Sequence, residues 1–250
     1  MLKTFAVLAA LGLLVGCAST TNVPADPFEG FNRATFQFND KTDQIVLRPL
    51  AKGYQAVTPQ FVRAGVSNAF GNVADIATGV NNLLQGKPAN AASDLGRVLV
   101  NSTLGILGLF DVASPMGLDK HEEDFGQTLG KWGVGSGPYL VLPLMGPSTL
   151  RDAVGRYPDG RLSYGKQIEH VPTRNSTFGL DIINIRAELL NASKTLEEAA
   201  LDKYQFLRDA FLQRRLNQVH DGNVPSALRE KLIESLEAPD ESPARVPSEK

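Results

Sequence analysis

Cysteine is almost missing from this chain: Cys17 is the single one in 250 residues. No disulfide can form within it, and no cysteine-based metal site can be assembled. Histidine is scarce too, with His121, His170 and His220 far apart in sequence. Neither sign of charge dominates, at 25 basic against 27 acidic residues. No basic run interleaved with aromatics occurs, which argues against nucleic acid as a partner. Beyond residue 16 no apolar run approaches the length of about 18 residues that marks a conventional transmembrane helix. Internal repeats are also missing.

What is present begins at the N-terminus. Met1-Leu2-Lys3 supplies a short positive start, and Phe5 to Val15 is a nearly unbroken apolar run. That pattern predicts an export signal, too short to span a bilayer as a mature helix. Leu14-Val15-Gly16-Cys17 matches the bacterial lipobox, where small residues precede a cysteine that receives diacylglycerol. The signal peptide is therefore expected at 1–16 and a lipidated tether at 17–25, with Cys17 as the acylated residue. Two or three acyl chains, at about 0.8 kcal/mol per buried CH₂, hold a protein stably at a membrane. Ala18 and Ser19 follow the anchor, not the aspartate that retains many lipoproteins in the inner membrane.

The rest reads as mainly α. Asp26-Pro27-Phe28-Glu29 resembles a helix start, with Asp26 as the cap, and Phe31, Thr35 and Phe38 then share one face. Pro49 breaks or bends this segment. Apolar periodicity predicts helices over 59–84 and 90–110, separated by Gly86-Lys87-Pro88. A long amphipathic helix is expected over 180–219 and a short one near 225–236. The tail from 238 to 250, rich in Pro, Glu and Ser, has a disordered composition. Between them, six glycines and three prolines punctuate 125–150 and flank the apolar stretch Tyr139 to Met145, which reads as a hairpin. One helical domain over 26–220 is expected, with the short helix and tail over 221–250.

Catalytic motifs fail on inspection. His121-Glu122-Glu123-Asp124-Phe125 lacks the second histidine of a zinc-protease helix, so it reads as a solvated acidic loop. Gly133-Val134-Gly135-Ser136-Gly137 has no following Gly-Lys-Ser/Thr, so it is no phosphate loop. Val134 and Pro138 stand where a nucleophile elbow around Ser136 needs glycine. No enzyme activity, metal or cofactor is expected. Asp94, Arg97 and Asn101 form a polar stripe on an apolar helix, facing either an aqueous path or a neighbouring helix.

Several blocks in order resemble the MlaA (VacJ) family. They include Asp26-Pro27-Phe28-Glu29-Gly30-Phe31-Asn32-Arg33, Arg48-Pro49, Asn101-Ser102-Thr103-Leu104-Gly105 and Phe110-Asp111-Val112-Ala113. Phe125-Gly126-Gln127-Thr128-Leu129-Gly130, Gly133 through Tyr139, and Ser148-Thr149-Leu150-Arg151-Asp152 continue the match, while the C-terminal third is looser. The resemblance implies an outer-membrane lipoprotein on the periplasmic-leaflet side, folded as a ring of amphipathic helices around a pore. It implies removal of mislocalised phospholipids from the outer leaflet to a periplasmic carrier, MlaC, with trimeric porins as partners. On that reading Asp94, Arg97 and Asn101 contact headgroups. Gly133, Gly135, Gly137, Tyr139, Pro143 and Gly146 form a hairpin gate. Phe31, Asn32, Phe38 and Asn39 lie on a membrane-proximal helix, although a core role for the two phenylalanines stays open. The alternative is a scaffold lipoprotein that binds porins without moving lipid.

Overall fold

The computed structural model describes residues 26–237. The expected signal peptide, Cys17, the tether and the tail from 238 onward lie outside the described residues. Helix α1 runs Glu29–Thr42 and passes through a π-helical turn, Asp43–Leu47, into α2, Arg48–Val57. Pro49 has no N–H to give the turn before it, and the chain passes it with the wider spacing in which the Arg48 amide reaches the Asp43 carbonyl, so it changes helix type and does not break. Asp26 does not cap α1, whose N-cap position is Phe28. Its carboxylate accepts instead from the Asn32 amide at 2.7 Å and from the Tyr204 hydroxyl. Two side-chain donors held in the fold outcompete one exposed backbone amide.

Helices α3, Gln60–Leu84, and α4, Pro88–Thr103, form an antiparallel pair. Gly86, at φ +76°, closes the turn, and Pro88 starts α4 at a position that needs no N–H. The second helix ends well short of Phe110. A Cβ on Gly105 would lie 2.1 Å from the Phe110 carbonyl oxygen, so the chain folds back there.

A short helix α5, Phe125–Lys131, leads to strands β1, Tyr139–Leu142, and β2, Gly146–Thr149, paired antiparallel with Tyr139 opposite Thr149. Then come α6, Leu150–Leu162; α7, Val171–Glu188; α8, Leu190–Ala199; α9, Lys203–Val219; and α10, Ser226–Glu237. The single long helix expected over 180–219 is thus divided among three, broken at Leu189 and again before Asp202, which starts the last by accepting from the Tyr204 and Gln205 amides.

The hairpin is docked on α1 by two asparagines spaced two turns apart. Asn32 donates to the Tyr139 carbonyl at 3.1 Å and accepts from the Val141 amide at 2.8 Å. Asn39 does the same with the Leu142 carbonyl at 2.9 Å and the Leu144 amide at 2.7 Å. Side-chain amides here stand in for a third strand. Replacing Asn32 by leucine is expected to orphan buried backbone groups at about 1–3 kcal/mol each. A thermal melt should show the loss, and an unchanged midpoint would contradict this docking.

Tyr139 and Val141 join Tyr204, Leu212 and Leu232 in a small apolar core, with Phe36 and Phe211 against it. Leu232 lies on α10, so this short helix packs against the same core. Elsewhere the usual distribution is inverted. Among the described residues, polar and charged side chains outnumber apolar ones in the buried set. Large apolar side chains such as Phe31, Phe38, Val57, Phe61, Leu99 and Leu107 are exposed. Phe31 and Phe38 are therefore not core residues; the inward positions of α1 are Asn32 and Thr35.

Candidate functional site: a charged cleft

A cleft of about 460 Å³ opens between α3, the segment 120–124, α5 and α9. Helix α9 lines it with Phe211, Arg214, Arg215 and Gln218, spaced to share one face. From α3 come Ala74, Asp75 and Thr78, and opposite them Lys120, His121, Glu122, Glu123, Asp124 and Gln127. The wall is a set of opposed charges, nearly all matched.

Arg215 is the best held. Its guanidinium reaches Asp124 at 2.6 Å and Asp152 at 2.8 and 3.0 Å. Burial opposes its charge, yet the two carboxylates raise its pKa further. Burial would raise Asp124 in turn, but Arg215 and the Gln127 amide that it caps bring it below the ordinary carboxylate range. Asp75 shows the opposite balance. Burial raises its pKa, and Lys120 at 3.4 Å with Arg97 at 3.2 Å only partly offset that. Glu123 is bound by Gln85 and Lys87 at 2.8 and 2.9 Å. Two cations remain accessible: Lys120, and Arg214, which meets Glu122 at 2.9 Å on the rim. Each has a single carboxylate partner, the buried Asp75 for Lys120 and the exposed Glu122 for Arg214, and each keeps an exposed head that can meet a passing anion.

The predicted polar stripe stands behind this wall. Asp94, Arg97 and Asn101 are 0%, 2% and 3% exposed. Asp94 accepts from Asn82 at 2.8 Å and lies 3.0 Å from His121 Nδ1. Arg97 donates to Asp75, Asp111, the Ser114 hydroxyl and the Leu118 carbonyl. Asn101 donates to Asp111 and accepts from the Val112 and Ala113 amides. Asp111, with these partners and Ser114 outweighing its burial, falls to about 2. Protein groups on neighbouring elements occupy these polar atoms. They position the cleft through Asp75 and His121 and do not face it.

The glycine-rich segment lies apart. Gly133 and Gly135 line a separate cavity of about 100 Å³ beside Arg151, with Arg215 bordering both spaces. Tyr139 is a core residue with its ring 6.3 Å from Tyr204 and 6.1 Å from Phe211, not an exposed gate tip. Pro143 sits in the hairpin turn, where Leu144 and Met145 are exposed, and Gly146 takes φ +78°. The acidic loop set aside as solvent-exposed is what sequence reasoning missed. Its one local signal was six consecutive titratable residues, Asp119 to Asp124; its partner Arg215 lies 91 positions away.

Fold and site together define a mainly helical protein with an inverted surface, apolar outside and lined with paired charges within. Among the described residues no helix is long and apolar enough to cross a membrane. The chain belongs to the MlaA lipoprotein family, whose model matches residues 24–218. It is 37% identical over 220 residues to the intermembrane phospholipid transport system lipoprotein MlaA of Escherichia coli K12, covering 85% of this chain and 87% of that one. The protein of that description from Haemophilus influenzae is 32% identical over 250 residues, covering 95% and 96%. A solved structure concerning the structural basis for maintenance of bacterial outer membrane lipid asymmetry superposes with a TM-score of 0.69 at 35% identity. It spans 78% of this chain and 99% of that one.

Proposed function

We propose that this protein carries phospholipids out of the outer leaflet of the bacterial outer membrane, maintaining lipid asymmetry. The exposed apolar side chains lie among acyl chains on the periplasmic-leaflet side, and Cys17 tethers the body there. The charged cleft gives the headgroup its path. A phosphodiester crossing hydrocarbon without polar partners costs many kcal/mol. A cleft carrying both signs of charge, with Phe211 and Ala74 beside them, accommodates a headgroup and the start of its chains. A periplasmic carrier of the MlaC kind receives the lipid, and trimeric porins hold the protein in place. The glycine run 133–137 and the hairpin turn 143–146 are the segments that move during passage. Net flux follows the gradient the carrier maintains, since a passive path has no direction of its own.

The observation that carries this reading is the inverted burial around a cleft of paired charges. Narrowing that cleft without touching a charge is the test. Ala74 lines it and is exposed, so Ala74→Trp places an indole in the path with little effect on the fold. Cells carrying the variant at normal protein level should accumulate outer-leaflet phospholipid. A composition matching the parent strain would contradict the assignment of this cleft.

A further inference from the structure

Residues 104–110, Leu-Gly-Ile-Leu-Gly-Leu-Phe, leave the end of α4 with no polar side chain among them. Leu104, Ile106, Leu107 and Phe110 are all exposed, Leu107 at 79%. The backbone carries strain to keep them there. Ile106 and Leu107 adopt φ of +53° and +56°, the left-handed region that β-branched and bulky residues avoid. Gly105 and Gly108 make the fold-back possible: a Cβ on either would meet neighbouring atoms within 3.0 Å.

The loop is also closed on itself. The amides of Leu104, Gly105, Leu107, Gly108, Leu109 and Phe110 all donate to carbonyls of residues 100–106. Beneath it, Asn101 binds the amides of Val112 and Ala113, and Arg97 binds Asp111, so the chain leaving the loop is fixed to α4. We propose that residues 104–110 form a rigid apolar finger that inserts among phospholipid acyl chains, held in shape by the Arg97–Asn101–Asp111 network.

Three observations select acyl chains as the occupant. The loop offers no charge or side-chain hydrogen bond to a protein surface. Six of its seven amides are paired within the chain, which goes most of the way to what hydrocarbon demands of a backbone, since lipid supplies no replacement partner. Its exposed side chains continue the apolar exterior through Leu99 on one side and Met116 on the other. The burial of Arg97 and Asn101 against the half-buried Asp111 then has a purpose distinct from lining a lipid path.

This inference rests on the reading that the exterior lies in a bilayer, and the experiment separates the two. Trp132 is the chain's single tryptophan, so Trp132→Phe gives a silent background. Into it go Phe110→Trp and Leu104→Trp, both at positions without a positive φ, and Phe31→Trp on the exposed face of α1. The full mature protein is reconstituted in phosphatidylethanolamine–phosphatidylglycerol vesicles whose chains carry bromine near the headgroup or near the terminus. Both loop indoles should lose more emission to deep bromine than to shallow, and the α1 indole should be quenched as well. Quenching at α1 with none in the loop, or loop quenching by shallow bromine alone, overturns the finger and leaves the embedding intact. No quenching at any of the three positions overturns both. Should one loop variant fail to fold, the other carries the test.

Discussion

Replacing Arg97 by methionine is expected to lower folding stability by about 3–5 kcal/mol, the cost of breaking a buried ion pair from one side. Methionine preserves much of the side chain's length, so the loss comes from stranded acceptors and not from a void. Asp75, 1% exposed, would keep only Lys120, whose side chain is 45% exposed. Asp111, the Ser114 hydroxyl and the Leu118 carbonyl would each lose a donor. The raised pKa of Asp75 lets it take up a proton more readily than an ordinary carboxylate, which places the loss toward the lower end of that range. Denaturant unfolding in detergent measures it. A loss under about 1 kcal/mol, typical of a surface pair, would contradict the structural role given to this network.

The second large effect is on transport. Lys120→Glu combined with Arg214→Glu is expected to stop phospholipid removal while leaving the fold intact. Arg214 and its partner Glu122 are both exposed, so that change strands nothing buried; Lys120 is 45% exposed, and the buried Asp75 it leaves keeps Arg97 and, with its raised pKa, takes up a proton more readily than an ordinary carboxylate. The wall would then carry Asp75, Glu122, Glu123 and Asp124 with two further carboxylates, against Arg215 alone among its arginines and lysines. Two like charges about 4 Å apart repel by about 4 kcal/mol at the effective dielectric of a protein surface. Each 1.4 kcal/mol is about tenfold in a rate, so even a fraction of that repulsion excludes an anionic headgroup. Lys194→Glu, a charge reversal outside the cleft, is the control and should leave transport normal. Normal outer-leaflet composition in the double variant, at normal protein level, would remove electrostatics from the account.

These predictions concern residues whose importance the sequence concealed. Its class was readable: apolar periodicity gave a mainly helical chain, the family blocks gave the family, and glycine and proline marked the hairpin. The direction of each apolar face was not readable. Periodicity reports that Phe31 and Phe38 share a side of α1, and nothing in it says whether that side faces a core or an apolar solvent. The fold turns that side outward, which is why Asn32 is buried and the phenylalanines are not. Breaks between helices were hidden for a similar reason. The stripe through Ile185, Leu196 and Leu207 continues across two changes of axis, because spacing alone does not register a turn. The cleft was the least legible feature, since α3, the 120–124 loop and α9 meet only in the folded chain. Arg97 was legible as unusual but not as buried, because its partners Asp75 and Asp111 sit on other elements.

The claim on which the rest depends is that phospholipid passes through the cleft bounded by α9 and the 120–124 loop. Site-specific photo-crosslinking in cells tests it most directly, with the reactive side chain at Gln218 inside the cleft and, separately, at Phe31 on the exterior. Phospholipid adducts at both positions are predicted, with those at Gln218 lost when Ala74→Trp blocks the path. Adducts at Phe31 with none at Gln218 would contradict the claim, leaving a protein that sits in lipid without conducting it.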